Sequence, residues 1–150
     1  MISHSPSPNG VDLLNDQDII GILSSVRCIA LVGASDDPER PSHYVMAYLQ
    51  HRGYRVIPVS PRLAGETLLG ETVYSDVASI PTDIQLDMVE LFINAQRVPA
   101  VAEQAIERPV KVVWMQLGVI DQISAQKLRQ NDIVVAMNRC PKIEIPRLGL

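Results

Sequence analysis

Apolar positions in this chain come in short solid blocks separated by polar stretches. Cys28-Ile29-Ala30-Leu31-Val32 is one such block, closed by Gly33. A run of this length with no polar break predicts a strand buried on both faces. Residues 54–59, 87–93, 110–115 and 133–137 repeat the signal, and Val73-Tyr74 predicts a further short strand. Between the blocks the period lengthens to that of a helix. Ser42 is placed to cap a helix that sets Val45, Met46 and Leu49 on one side and stops at Arg52-Gly53. Residues 75–80 predict a short helical turn. Residues 98–107 predict a helix with Pro99 in its first turn. Residues 121–130 predict another, with Ile123 and Leu128 inward. Before the first strand, Asn15 and the acids after it mark the start of a short helix. Residues 1–13, rich in Ser, Pro, Asn and Gly, read as a loose arm, which leaves one domain over residues 14–150. Strands alternating with helices imply right-handed βαβ crossovers. The expected fold is α/β, a doubly wound and mainly parallel sheet of five or six strands with helices on both faces.

Composition narrows the function classes. The chain has 150 residues, 47% of them hydrophobic and 20% charged, which suits one ordinary domain with a real core. The formal net charge of −4 argues against a partner held by a broadly positive surface, so no nucleic acid is expected. No apolar run approaches the roughly 20 residues that cross a bilayer, and no membrane partner is expected. The start, MISHSPSPNG, lacks the basic and apolar regions of a secretory signal. Cys28 and Cys140 form neither a CxxC nor a Cys/His cluster, so a zinc site or disulfide scaffold is not expected. A reducing cytoplasm is the expected compartment.

In an open α/β sheet, ligands bind beyond the carboxyl ends of the strands, where the strand order reverses. The loops after the strands carry Gly33-Ala34-Ser35 with Arg40 and Ser42, then Ser60-Pro61-Arg62, then Asn94 to Arg97, then Gln116-Leu117-Gly118. Two readings of the first loop stand side by side. Gly33 admits a ligand close to the backbone while Ser35, Arg40 and the helix start at Ser42 hold a phosphate; or Gly33 merely ends a strand and Arg40 is solvated. GxGxxG is absent, and no acid at the end of the second strand awaits a ribose hydroxyl; both absences count against NAD.

Val32-Gly33-Ala34-Ser35, Pro38-x-Arg40-x-Ser42, Gly53-Tyr54-x-Val56-x-Pro58-Val59-x-Pro61 and Leu69-Gly70 follow one another in order. Phe92, Val98-Pro99, Val113-Trp114-x-Gln116-x-Gly118 and Asn138-Arg139-Cys140-Pro141-x-Ile143-Glu144 continue the series. Each motif is short, but the ordered set resembles the stand-alone CoA-binding domain proteins over about residues 15–148. That family is similar to the nucleotide-binding domain of the succinyl-CoA synthetase α subunit, without its catalytic remainder. The resemblance implies a Rossmann-like fold and a small-molecule nucleotide ligand, coenzyme A or an acyl-CoA. It implies that Gly33, Ala34, Ser35, Arg40 and Ser42 hold the phosphates and that Ser60 and Pro61 line the nucleotide. Asn94, Arg97, Trp114, Gln116 and Gly118 would line the rest of the groove. The chain departs from the family in having Ser60 where Asn is common, Ile93-Asn94 where an arginine follows Phe92, and Asn138 where Asp is frequent. Arg97 is the nearby candidate to stand in for that arginine. Arg40, Arg62, Arg97, Arg139, Lys142 and Arg147 are the local cations that could meet an anionic ligand.

The remaining chemistry-bearing residues form no catalytic set. His43 lies one turn into the first crossover helix, His51 at its end and His4 in the arm, so a Ser/His/Asp triad is not supported. Asp83, Asp87 and Glu90 sit at unhelpful spacing and read as capping, edge or solvated carboxylates. Trp114 either stacks on a ligand or belongs to the core. Cys28 reads as packing; Cys140 reads as structural, or as a thiol placed for a mixed disulfide with CoA. The leading expectation is a cytoplasmic CoA-binding module without catalysis of its own. The alternatives are an enzyme on a CoA thioester recruiting His43 or Cys140, and a regulatory subunit that responds to CoA. Residues 143–150 either cover a neighbour in a homodimer or fold back on their own domain.

Overall fold

The structure is a computed structural model that describes residues 11–150. Most of the expected N-terminal arm lies outside them. Helix α1 (Asp16–Ser25) starts in a reciprocal cap: the Asn15 side chain accepts from the Asp18 amide at 2.9 Å, and the Asp18 carboxylate accepts from the Asn15 amide at 2.9 Å. Strand β1 (Cys28–Val32) is buried at every position. Its side chains alternate between two cores. Cys28, Ala30 and Val32 pack with helix α3 (Val98–Glu107) and helix α4 (Gln122–Gln130). Ile29 and Leu31 pack with α1, helix α2 (Pro41–His51) and helix α5 (Pro141–Arg147).

Strands β2 (Arg55–Val59), β5 (Met88–Leu91), β6 (Val112–Met115) and β7 (Val134–Ala136) complete a five-stranded sheet in the order β2-β1-β5-β6-β7. Every pairing in it is parallel. The order reverses between β1 and β5, so the crevice where a ligand would seat is flanked by the residues just after Val32 and Leu91. A separate hairpin of β3 (Thr67–Leu68) and β4 (Glu71–Thr72) fills the loop after β2. Among the described residues no helix is long and apolar enough to cross a membrane.

The structure corrects several expectations. Tyr74 makes a single bridge to Val59 rather than a strand. Pro58 accepts from the Tyr74 amide at 3.1 Å but has no N–H to return, which stops the ladder there. Residues 75–80 form turns in which Asp76 accepts from the Ser79 amide at 2.7 Å. Helix α2 begins one residue before Ser42, with Pro41 in its first turn and Arg40 at the cap position. Ile123 is 83% exposed, while Ser124, Ala125 and Leu128 face the core. Residues 141–147 form a helix, and Ile145, Leu148 and Leu150 fold back against the α1–α2 side of the sheet.

The last part of the expected arm is fastened rather than loose. Asp12 is buried and accepts from Arg139 Nε at 2.7 Å, Arg139 Nη2 at 3.0 Å, the Met137 amide at 3.0 Å and the Leu14 amide at 3.1 Å. Arg139, only 3% exposed, also donates to Glu144 at 2.7 Å. Burial alone would raise the Asp12 carboxyl. The Arg139 guanidinium and the two amides outweigh burial and hold it below its ordinary value.

Candidate functional site

A groove of about 780 Å³ opens at the carboxyl ends of β1, β5 and β6, within the usual size range of small-molecule sites (roughly 300–1,000 Å³). Gly33 stands at its mouth with φ +91°. A Cβ there would lie 2.1 Å from the Phe92 carbonyl oxygen and 2.8 Å from its carbon. Glycine is therefore required by the close passage of the two strand ends as well as by the backbone angle. The amides of Gly33 and Ala34 both turn to the Val59 carbonyl, at 3.0 and 3.1 Å. The resemblance gives Gly33 and Ala34 to the phosphates, but their amides are committed to Val59. The polar groups that remain at this end are the Ser35 and Ser42 hydroxyls, the Arg40 guanidinium and the first turn of α2.

The charge in the groove is one-sided. Arg40, Arg97 and Lys142 line it, and no Asp or Glu does. None of the three is in an ion pair among the described residues. Arg97 reaches the groove because a 3₁₀ turn (Ala95–Arg97) follows Asn94. Residues three apart eclipse in that geometry, which brings Asn94 and Arg97 to one side. Lys142, in the first turn of α5, sits 5.4 Å from the centre of the Tyr48 ring. The other cations are committed elsewhere. Arg62 donates to Asp36 at 2.9 Å and holds that carboxyl below its ordinary value. Arg139 is taken by Asp12 and Glu144, and Arg147 by Asp16 and Glu144.

Eight of the residues singled out in the sequence come together in the groove wall: Gly33, Ala34, Ser35, Arg40, Ser42, Asn94, Arg97 and Gln116. Four lie outside it. Ser60 is buried, its hydroxyl accepting from the Leu63 amide at 3.3 Å, and Pro61 is exposed beside it. Gly118 donates to the Asn138 side chain at 2.8 Å. Trp114 is fully buried, its indole N–H donating to the Arg139 carbonyl at 2.9 Å, so of its two readings the structure shows core. His43 does not line the groove either. Leu117, from the loop after the fifth expected strand, and Cys140, the candidate thiol, do line it, as do Tyr44 and Ile143, to which sequence reasoning gave no place in the wall. Tyr44 was findable as the outward neighbour of Val45 at the start of α2. Cys140 and Ile143 depend on α5, which the pattern did not predict.

Beneath the wall lies a carboxyl that the sequence misplaced. Glu90 is in the central strand β5, fully buried and in register with Leu31 and Trp114. Asp87, by contrast, is the expected capping group: it accepts from the amides of Arg27 at 2.8 Å and Cys28 at 3.0 Å. With its amide nitrogen turned inward, Gln116 donates to Glu90 Oε1 at 2.9 Å and to the Arg139 carbonyl at 3.3 Å. Among the described residues Glu90 Oε2 has no hydrogen-bond partner. Burial, and then the nearby Cys140, push the Glu90 carboxyl well above its ordinary range.

The sequence profile of a CoA binding domain family matches residues 27–146. The uncharacterized protein YneT of Bacillus subtilis (strain 168) is 35% identical over 126 residues, which are 84% of this chain and 90% of that protein. The crystal structure of Prb, the PH1109 protein redesigned for binding, superposes with a TM-score of 0.88 at 37% identity, covering 93% of this chain and 95% of that one. A hypothetical protein from Pyrococcus horikoshii OT3 gives 0.87 at 36% identity and covers 99% of both chains.

Proposed function

The chain belongs to the CoA binding domain family, and on that footing we propose that it is a stand-alone module that binds CoA or an acyl-CoA reversibly and performs no catalysis of its own. The observation that carries this reading is the groove that, among the described residues, has three cations, no carboxylate and no ion pair, in a chain whose net charge is −4. A ligand bearing a diphosphate and a further phosphate meets complementary charge there and nothing that repels it. Arg40 and the Ser35 and Ser42 hydroxyls would take the diphosphate at the start of α2. Arg97 and Asn94 would follow along β5, and Gln116 would contact the amide-bearing arm. Among the described residues no histidine or carboxylate lines the wall to act as an acid or base, which favours binding over turnover. Two or three charge-assisted hydrogen bonds, each about 1.5–3 kcal/mol, together with apolar contact, fit micromolar affinity, about −8 kcal/mol. Calorimetry with CoA, acetyl-CoA, ATP and NAD tests it. CoA and acetyl-CoA should bind more tightly than ATP and NAD. Binding of NAD without CoA would overturn the proposal, as would thioesterase turnover abolished by His43→Ala.

A further inference from the structure

We propose that the groove contains an acyl subsite: the wall around Leu117 and Ile143, with the small cavity that opens behind it, takes the hydrocarbon chain of a bound acyl-CoA longer than acetyl-CoA. This rests on the groove being a CoA site and names the form of CoA it holds. Eight large apolar side chains are exposed among the described residues, and three of them share the groove wall: Tyr44 at 44%, Leu117 at 51% and Ile143 at 52%. An apolar side chain alone on a surface needs no explanation, but several on one concave wall mark a place that something apolar covers. Three separate elements supply them. Tyr44 comes from the first turn of α2, Leu117 from the loop after β6 and Ile143 from the first turn of α5. The ordinary wet face of one helix therefore does not account for the group.

The second observation says where the chain goes. Leu117, Cys140 and Ile143 also line a smaller cavity of about 230 Å³ that adjoins the groove. That is below the roughly 300–1,000 Å³ of a self-sufficient ligand site and suits the tail of a ligand seated next door. Charge divides the two spaces. Arg40, Arg97 and Lys142 line the groove, and none of them lines the smaller cavity. The cations that do line it are already spent. Arg139 is held by Asp12 and Glu144 at 2.7 Å each, and Arg147 by Asp16 at 2.9 Å and Glu144 at 2.7 Å. Turning Arg139 toward a ligand would strand the buried Asp12 carboxylate. A molecule that fills both spaces is therefore anionic at one end and uncharged at the other. Acyl-CoA has that division, with phosphates at the nucleotide end and hydrocarbon beyond the thioester. Free CoA ends in a bare thiol and leaves Leu117 and Ile143 uncovered.

Isothermal calorimetry of the full chain with CoA and its acetyl, butyryl and hexanoyl thioesters tests this. Affinity should rise about two- to fourfold for each added methylene, the gain from partial to full burial of one CH₂. From acetyl to hexanoyl the rise is at least tenfold. In the Leu117→Ser, Ile143→Ser double variant it should fall below threefold. It is read as the ratio of hexanoyl-CoA to acetyl-CoA affinity within that variant, so any change in holding CoA itself cancels. Either single substitution should at least halve the rise and serves if the double variant does not fold. Ile123→Ser, which alters an exposed isoleucine outside both spaces, should keep the full rise. Hexanoate without CoA should bind at least a hundredfold more weakly than hexanoyl-CoA. If CoA binds but acetyl and hexanoyl thioesters bind equally, as they would where a partner protein covers this wall, the acyl subsite alone is overturned. A rise that survives the double variant, or is lost equally in Ile123→Ser, also overturns it, as does hexanoate binding as tightly as its thioester. Failure of CoA and every thioester to bind overturns the CoA site itself.

Discussion

Arg40→Ala isolates the electrostatic argument. Arg40 is exposed, has no ion-pair partner among the described residues and does not bond through its side chain to cap α2. Removing it should leave the fold intact, with stability changed by no more than about 0.5 kcal/mol. Its loss from the groove removes one of three cations and at least one charge-assisted hydrogen bond to phosphate. At about 1.5–3 kcal/mol, this weakens CoA roughly ten- to 150-fold. Isothermal calorimetry at low salt reads the change directly, and a thermal scan of the same sample checks the fold. The difference between wild type and variant should shrink as salt rises, because the Debye length falls from about 30 Å at 0.01 M to about 8 Å at 0.15 M. Arg97→Ala should behave alike from the other side of the crevice. If Arg40→Ala, Arg97→Ala and Lys142→Ala each keep CoA affinity within twofold at low salt, the groove is not read by its charge and the reasoning fails.

Other expectations concern the frame around the groove. Gly33→Ala puts a methyl group 2.1 Å from the Phe92 carbonyl at a backbone angle of +91°. It should cost about 2–5 kcal/mol, visible as a lower denaturant midpoint; a midpoint like the wild type's would show that the strand ends part easily. Arg139→Met leaves Asp12 and Glu144 buried without their partner and should cost about 3–5 kcal/mol in the same assay. Asp12 has a lowered folded-state pKa, so its contribution is present above the ordinary aspartate range and disappears as pH falls through the folded value. Asp12→Asn should flatten the acid limb of the stability curve below about pH 4, and an unchanged limb would refute the assignment. Glu90 has the opposite sign: its raised pKa favours folding below the ordinary glutamate range and opposes it as pH rises. Glu90→Gln should therefore gain stability relative to the wild type as pH rises above the ordinary glutamate range, by urea denaturation; a constant difference would place the carboxyl in water.

The sheet was legible because its strands are buried on both faces. Cys28 to Val32 needs no partner to be recognised, since few other elements tolerate five consecutive apolar residues. The same property hid Glu90. Alternation sorts residues by face but does not say that either face is wet, and in β5 neither is. Ile123 failed for the reverse reason. One isoleucine in a helix turn was read as inward, while the smaller Ser124 and Ala125 make the contact. Helix α5 escaped because Pro141 and Pro146 look like breakers, although Pro141 occupies a first-turn position where its missing N–H costs nothing. At the site, the chemical types in the β1 and β5 loops were visible, but their availability was not. Arg62 and Arg40 look alike in sequence, and only the fold shows that Asp36 occupies one of them. Gly33 was read as admitting a ligand close to the backbone; the group that approaches it in the fold is the Phe92 carbonyl.

A positive crevice in a negative body sets arrival and departure against each other. At distance, an anionic visitor meets the whole molecule and is repelled; inside, it meets Arg40, Arg97 and Lys142 and is held. Added electrolyte should then quicken entry and shorten residence together. Stopped-flow traces would show the on-rate climbing with ionic strength while the complex grows weaker, opposite to the trend for a ligand drawn in by long-range attraction.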